Sequence, residues 1–164
     1  MAKVNIGKCT IRKKISVNGV PDAESEWQEL RTPKEGTTSL NATEGTDVEA
    51  IVEGGEVIDS ITGATNYTFE WEEYDEKGQA PSFPDVDGIV SGEFALQVLP
   101  ARDESCPGFQ IDRCTIKSSS SYTTADGQRT KYTAKPLKPA QGNTVKKLNL
   151  EAKGAEGAEG ADGD

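Results

Sequence analysis

Polar and apolar residues alternate with a period of two along much of this chain. The clearest case is Tyr67, Phe69 and Trp71 interleaved with Thr68, Glu70 and Glu72. Successive side chains of an extended strand point to opposite faces, so this segment has one aromatic face for a core and one hydrophilic, negative face for water. Val48, Ala50 and Val52 alternate with Asp47, Glu49 and Glu53 in the same way, although Ile51 breaks the pattern. Val48, Ala50, Val52, Tyr67, Phe69 and Trp71 are therefore the expected core positions of two strands. Gly54-Gly55 marks a turn or bulge into a further strand over 56–61, and Thr62-Gly63-Ala64-Thr65-Asn66 forms the next turn. These segments predict three strands in meander order.

Further strands are expected over 5–17, interrupted by the basic cluster Arg12-Lys13-Lys14, and over 92–99, 110–118 and 130–136. Asp87-Gly88, Pro107-Gly108 and Asp126-Gly127 offer positive-φ turn positions, and Pro100 ends its strand. One segment, 22–30, has helical spacing: Pro21-Asp22 starts it, Ala23, Trp27 and Leu30 share a side, and Pro33 stops it. A loop anchored by Trp27 fits the same residues. Many short strands with one short flanking helix predict a mainly β fold of sandwich or barrel type.

The 164 residues suit one domain over 1–150, followed by a tail over 151–164. That tail repeats Gly-Ala-Glu/Asp and has no aromatic or branched apolar residue after Leu150. It cannot bury enough surface to offset its ordering entropy, so disorder is expected, either as a plain solvated tail or as an interaction segment. No run approaches the roughly 20 apolar residues that span a bilayer, so no membrane association is expected. No apolar stretch follows the basic N-terminal residues, so synthesis in the cytoplasm without a secretory signal is the expectation.

Charge narrows the function. Twenty-eight acidic residues oppose 18 basic ones, a formal net charge of -10. The tail holds five acids and one base, or -4, which leaves -6 on residues 1–150. A protein that grips phosphates has the opposite balance. Histidine is absent, which removes the commonest proton-transfer group and transition-metal ligand. Cys9, Cys106 and Cys114 lack metal-ligand spacing and read as buried thiols, although Cys106 and Cys114 could pair if strands brought them together.

No phosphate loop, dinucleotide fingerprint, nucleophile elbow or metalloprotease motif occurs. Asp85-Val86-Asp87-Gly88 resembles the start of a calcium loop but lacks the distal bidentate glutamate. Glu72-Glu73 and Asp75-Glu76 have no spaced catalytic partner, and Ser118–Ser121 have no activating base, so they read as a hydrated face and a flexible strand end. Neither catalytic residues, a cofactor nor a metal site is expected, and the reading is not an enzyme. Basic residues gather towards the two ends of the folded region. Among them, Arg12, Lys13, Lys14, Lys146 and Lys147 are candidate contacts between subunits if those ends meet, and scattered solvated lysines if they do not.

The stretch EAIVEGGEVIDSITGATNYTFEWEEYDEKG (49–78), then GIVSGEFALQVLPARDESCPGFQIDRCTIKSSSSYTTADGQ and a closing TAKPLKPAQGNTVK, resembles tail tube proteins of long-tailed bacteriophages, of the kind found in Bacteroides-type prophages. The likeness lies in the order of the features and spans about residues 27–147. It implies a sandwich- or barrel-like subunit with a flanking helix and a long strand-connecting loop. Such subunits assemble into stacked hexameric rings, in contact with other tail proteins, around a bore that passes DNA. It also implies location in the virion. Strands around 47–53 and 66–72 would then form part of the tube wall, with Asp47, Glu49, Glu53, Thr68, Glu70 and Glu72 facing the lumen. A negative lumen would repel DNA and let it slide. The architecture is similar to type VI secretion tube proteins, which make the same rings. An immunoglobulin-like binding module is the other β reading.

Overall fold

The computed structural model describes Val4, residues 6–101 and residues 106–148; the acidic tail over 151–164 lies outside the described residues. The strands are β1 (Cys9–Val17), β2 (Val20–Pro21), β3 (Gln28–Glu29), β4 (Ser39–Thr43), β5 (Val48–Ile51), β6 (Val57–Ile61), β7 (Asn66–Tyr74), β8 (Phe94–Pro100), β9 (Gly108–Thr123), β10 (Gly127–Pro136) and β11 (Lys146–Leu148). The class is mainly β, as the alternation implies.

The helix expected over 22–30 does not form among these residues. Asp22 instead closes a tight turn: Ser25 Oγ donates to its carboxylate at 2.6 Å and the Glu24 amide at 3.1 Å. The chain then runs extended, because Gln28 and Glu29 pair with Lys13 and Arg12 on the edge of β1, and the Leu30 amide donates to Ile11 at 2.8 Å. A local side-chain bond to the backbone and an open strand edge outcompete weak helical periodicity here. The basic cluster likewise does not interrupt its strand, since β1 runs through Arg12, Lys13 and Lys14 and pairs with β8 from Cys9 to Ile15.

The chain divides into two compact units, with β9 contributing to both. Of the described residues, the first unit holds Val4, 6–32, 94–101, 106–113 and 138–148. Its strands run β2-β1-β8-β9, with β3 on the edge of β1 and β11 on β9. Ile11, Ala95, Leu96, Val98, Cys106 and Ile111 form its core. β1 returns into β2 through Asn18-Gly19, both at positive φ (54° and 81°), the favoured turn for a two-residue hairpin. Asp112 is buried beneath an ion pair with Lys146, and Gln110 Nε2 donates to it at 2.7 Å. Gly108, expected at a positive-φ turn, is instead a position of close approach on β9: a Cβ there would lie 2.5 Å from the Val98 carbonyl.

The second unit holds residues 33–93 and 114–137, with strands ordered β9-β10-β7-β4. Its centre is an aromatic cluster. Phe69 and Trp71 are fully buried, with ring centroids 5.2 Å apart, and Phe83 and Tyr132 lie 6.1 and 5.5 Å from Trp71. Glu73 is buried in the same face, where it accepts hydrogen bonds from Trp71 Nε1 at 2.9 Å and Ser82 Oγ at 2.6 Å. That arrangement satisfies the indole and fastens the loop carrying Phe83 over the cluster. Ser118–Ser121 form regular pairs with β10, so the expected loose strand end is ordered ladder. Asp85–Gly88 belongs to a tight hairpin, with Asp87 and Gly88 both at positive φ and the Val86 and Ile89 backbones bonded to each other at 3.0 Å in both directions. Cys9, Cys106 and Cys114 remain thiols, the last two fully buried.

The predicted three-strand meander needs correction. β7 pairs with β4 and β10, while β5 and β6 form a separate two-stranded ribbon. Val48, Ala50 and Val52, expected in the core, are exposed, because among the described residues no second layer covers the ribbon. Truncating Trp71 to Ala should cost about 3–5 kcal/mol in chemical denaturation. Val48→Ala should stay within about 0.5 kcal/mol. The bonds from Ser25 and Glu24, helped by the charge of Lys14, hold the Asp22 carboxyl below its ordinary value of 3.8. Its small contribution is therefore present above the ordinary carboxylate range and lost as pH falls through the folded value. A carboxyl NMR titration should give a midpoint below 3.8 that Ser25→Ala raises.

Candidate functional site

Two surfaces of the second unit carry the residues singled out in the sequence. The first is the outward face of its sheet. Register places Phe69, Trp71 and Glu73 on one side of β7 beside Ala134, Tyr132 and Thr130 of β10. The other side carries Thr68, Glu70 and Glu72, next to Thr133, Lys131 and Arg129. On β9 the same outward side bears Thr115, Lys117, Ser119 and Ser121. This face is rich in hydroxyl and charged groups, and Tyr74, opposite Arg129, is its large aromatic side chain.

It is not an acidic face. Lys131 Nζ lies 3.2 Å from Glu70, and Arg129 Nε lies 3.4 Å from Glu72. Arg129 also reaches Asp126 at 3.2 Å, and Lys34 stands 3.7 Å from the same carboxylate. Arg129 Nε is buried without a well-directed hydrogen bond, so its contact with Glu72 is Coulombic rather than a good bond. Lys117 and Lys135 share the face by register. The carboxylates picked out on β7 therefore sit within a ladder of alternating sign, which sequence reading along one strand could not show. The signal that could have revealed it is Arg129 and Lys131, spaced two apart as Glu70 and Glu72 are.

The second surface is the ribbon of β5 and β6. Its register continues that of β4 and β7: Thr43 faces Asn66, Val48 faces Ile61, and the four residues between them on each side match in number. These strands are thus one long hairpin with a neck. At the neck the two backbones touch: a Cβ on Gly45 would lie 2.3 Å from the Gly63 carbonyl carbon, and one on Gly63 would lie 2.6 Å from the Thr46 oxygen. Neither glycine has positive φ, so close approach is what requires them.

Beyond the neck every residue from Thr46 to Thr62 is exposed. This arm carries Asp47, Glu49, Glu53, Glu56 and Asp59 and no basic residue. It also carries Val48, Ile51, Val52, Val57, Ile58 and Ile61, with Ile61 at 67% exposure. A bulge between Ala50 and Ile51 shifts the register, so that Ile51 faces Val57. Of the six candidate lumen residues, Asp47, Glu49 and Glu53 lie on the arm, whereas Thr68, Glu70 and Glu72 lie on the sheet face. Alternation alone could not separate these two settings.

No protein-family model matches the chain, and no curated protein shows significant similarity to it. The functional reading therefore rests on surfaces. The basic candidates fall in the first unit, which gathers the N-terminal strand and the C-terminal segment; the Ala140 amide donates to the Gly19 carbonyl at 3.1 Å. Lys14 lies over the Trp27 ring, 5.3 Å from its centroid. Lys146 pairs with Asp112, while Lys147 on β11 is exposed. Among the described residues, the first unit has nine bases against five acids and the second has six bases against sixteen acids, net charges of +4 and -10.

The ladder makes a measurable claim. Double-mutant cycles on Glu70 with Lys131 and on Glu72 with Arg129 should each return a coupling of about 0.5–1 kcal/mol, larger for the less exposed Arg129 pair and weakened by added salt.

Proposed function

We propose that this protein is a structural subunit that acts by self-assembly, in the manner of a phage tail tube protein. In this reading copies join into rings, the rings stack, the bore passes DNA without binding it specifically, and the assembled form resides in the virion. The observation that carries the proposal is the arm. A two-stranded ribbon is marginal by itself in water. An arm showing Val48, Ile51, Val57, Ile58 and Ile61 to solvent leaves apolar surface that a neighbouring molecule can cover. Its stalk is fixed by backbone contact at Gly45 and Gly63, so the apolar side chains are presented at a defined position.

The sheet face adds a second support. A wall lined by serines, threonines and charges, in which Glu70 and Glu72 pair with Lys131 and Arg129 while Lys117 and Lys135 add two further cations, is hydrophilic and carries no dense negative charge. Its compensation of charge alters the mechanism set out from sequence. Lubrication of the bore would come from hydration of a neutralised ladder at Glu70, Glu72, Arg129 and Lys131, and not from dense negative charge there. The type VI tube reading shares the assembly step and differs only in what the bore conducts.

Purified full-length protein, taken through a concentration series at low and moderate salt, should show growing oligomers in sedimentation velocity and rings or tubes by negative-stain microscopy. A chain that stays monomeric throughout would refute the proposal.

A further inference from the structure

β4 is the last strand of the second unit's sheet, and its outer edge carries none of the devices that keep strand edges apart. Among the described residues it pairs with β7 on one side and with no strand on the other. An open edge presents alternate N–H and C=O groups as a template for another strand, and charges, prolines or bulges are the usual guards. The ribbon of β5 and β6 is guarded by a bulge between Ala50 and Ile51 and by Asp47, Glu49, Glu56 and Asp59. The edge of β1 bears Arg12, Lys13 and Lys14 and is covered in part by β2 and β3. β4 reads Ser39-Leu40-Asn41-Ala42-Thr43, without a charge, a proline or a register shift, and Asn41, Ala42 and Thr43 are exposed.

We propose that β4 is a dimerisation edge, which pairs antiparallel with β4 of a second copy about a two-fold axis at Asn41. This goes beyond the assembly reading and does not depend on what covers the arm. The strand's own pattern selects the partner. Directly opposed residues share a face of a sheet, so an axis at Asn41 sets Asn41 against Asn41, Ser39 against Thr43 and Leu40 against Ala42 of the second copy. Amide meets amide, hydroxyl meets hydroxyl and apolar meets apolar. Leu40 and Ala42 lie beside Phe69 and Tyr67, so the two sheets join with their aromatic sides on one face. Moving the axis to Ala42 would set Leu40 against Glu44, and moving it to Leu40 would leave Ala42 and Thr43 beyond the end of the facing strand. The contact is isologous and closes at two copies.

Charge selects the same edge. The second unit bears a net -10, so most contacts between two copies of it bring carboxylates together. β4 is a neutral line in that unit: Glu44 lies just beyond the strand, and Glu70, opposite Ser39 on β7, is paired with Lys131. Repulsion between the two acidic units falls with screening, so added salt strengthens this contact. Five residues from each copy make a small interface, and the dimer is accordingly a weak, reversible one.

The test uses full-length protein in sedimentation velocity over a series of concentrations and salt, with circular dichroism as the folding control. Wild type should dimerise, more tightly at higher salt. Asn41→Lys and Asn41→Glu each set like charges opposite one another and should weaken the dimer by about tenfold or more. An equimolar mixture of the two should restore it, because only the mixed pair brings opposite charges together. Under oxidising conditions Asn41→Cys should cross-link to itself above the wild-type background, whereas Ser39→Cys should do so only when mixed with Thr43→Cys. If wild type assembles and Asn41→Lys assembles equally well, the edge contact falls while the assembly reading stands. If wild type stops at a dimer that Asn41→Lys abolishes, the edge contact stands and the tube reading falls. A mixture that fails to recover, when each variant alone is folded and impaired, overturns the edge contact. A wild type that is monomeric at every concentration and salt overturns both.

Discussion

One antiparallel register governs the second unit. It is set where Phe69 and Trp71 turn into the aromatic cluster, because a slip of one residue would expose both rings and bury Glu70 and Glu72. Fully burying such side chains contributes about 1.5–3 kcal/mol each, which is ample to hold the pairing. The same register then runs outward along β4 and β7, passes the neck at Gly45 and Gly63, and emerges as the ribbon of β5 and β6. The placement of the exposed arm is thus decided by residues that lie deep in the core.

Much of this was legible in the sequence. The aromatic alternation located β7 and its two faces, and Asp-Gly and Gly-Gly pairs marked turns that the structure contains. Where reading failed, it failed for identifiable reasons. Val48, Ala50 and Val52 have the same alternation as Tyr67, Phe69 and Trp71, but alternation reports only that two faces differ, not that a second layer covers one of them. Residues 22–30 carried helical spacing, yet Asp22 found Ser25 and the Glu24 amide, and the open edge of β1 claimed Gln28 and Glu29. Buried Glu73 was read as part of a hydrated run, because its partners, the Trp71 indole and Ser82, become visible only once the loop folds back.

Charge shows the same limit. The net value of -10 suggested acidity spread over the folded part and tail, whereas the fold sorts the described charges into one basic and one acidic unit. Local pairing then removes the negative character of the one face where the sequence seemed to concentrate it, through Lys131 and Arg129. What remains uncompensated by any base of its own is the arm. An exposed ribbon leaves few marks in a search for motifs, since neither a nucleophile nor a ligand set is needed to make one.

The arm's carboxylates have a consequence of a different kind. Short β segments rich in isoleucine and valine, low in charge and open to solvent, are seeds of cross-β aggregation. Here Asp47, Glu49, Glu53, Glu56 and Asp59 punctuate such a segment and act as gatekeepers against its zipping into fibrils. On the self-assembly reading proposed above, the same acidity would keep unassembled chains from aggregating.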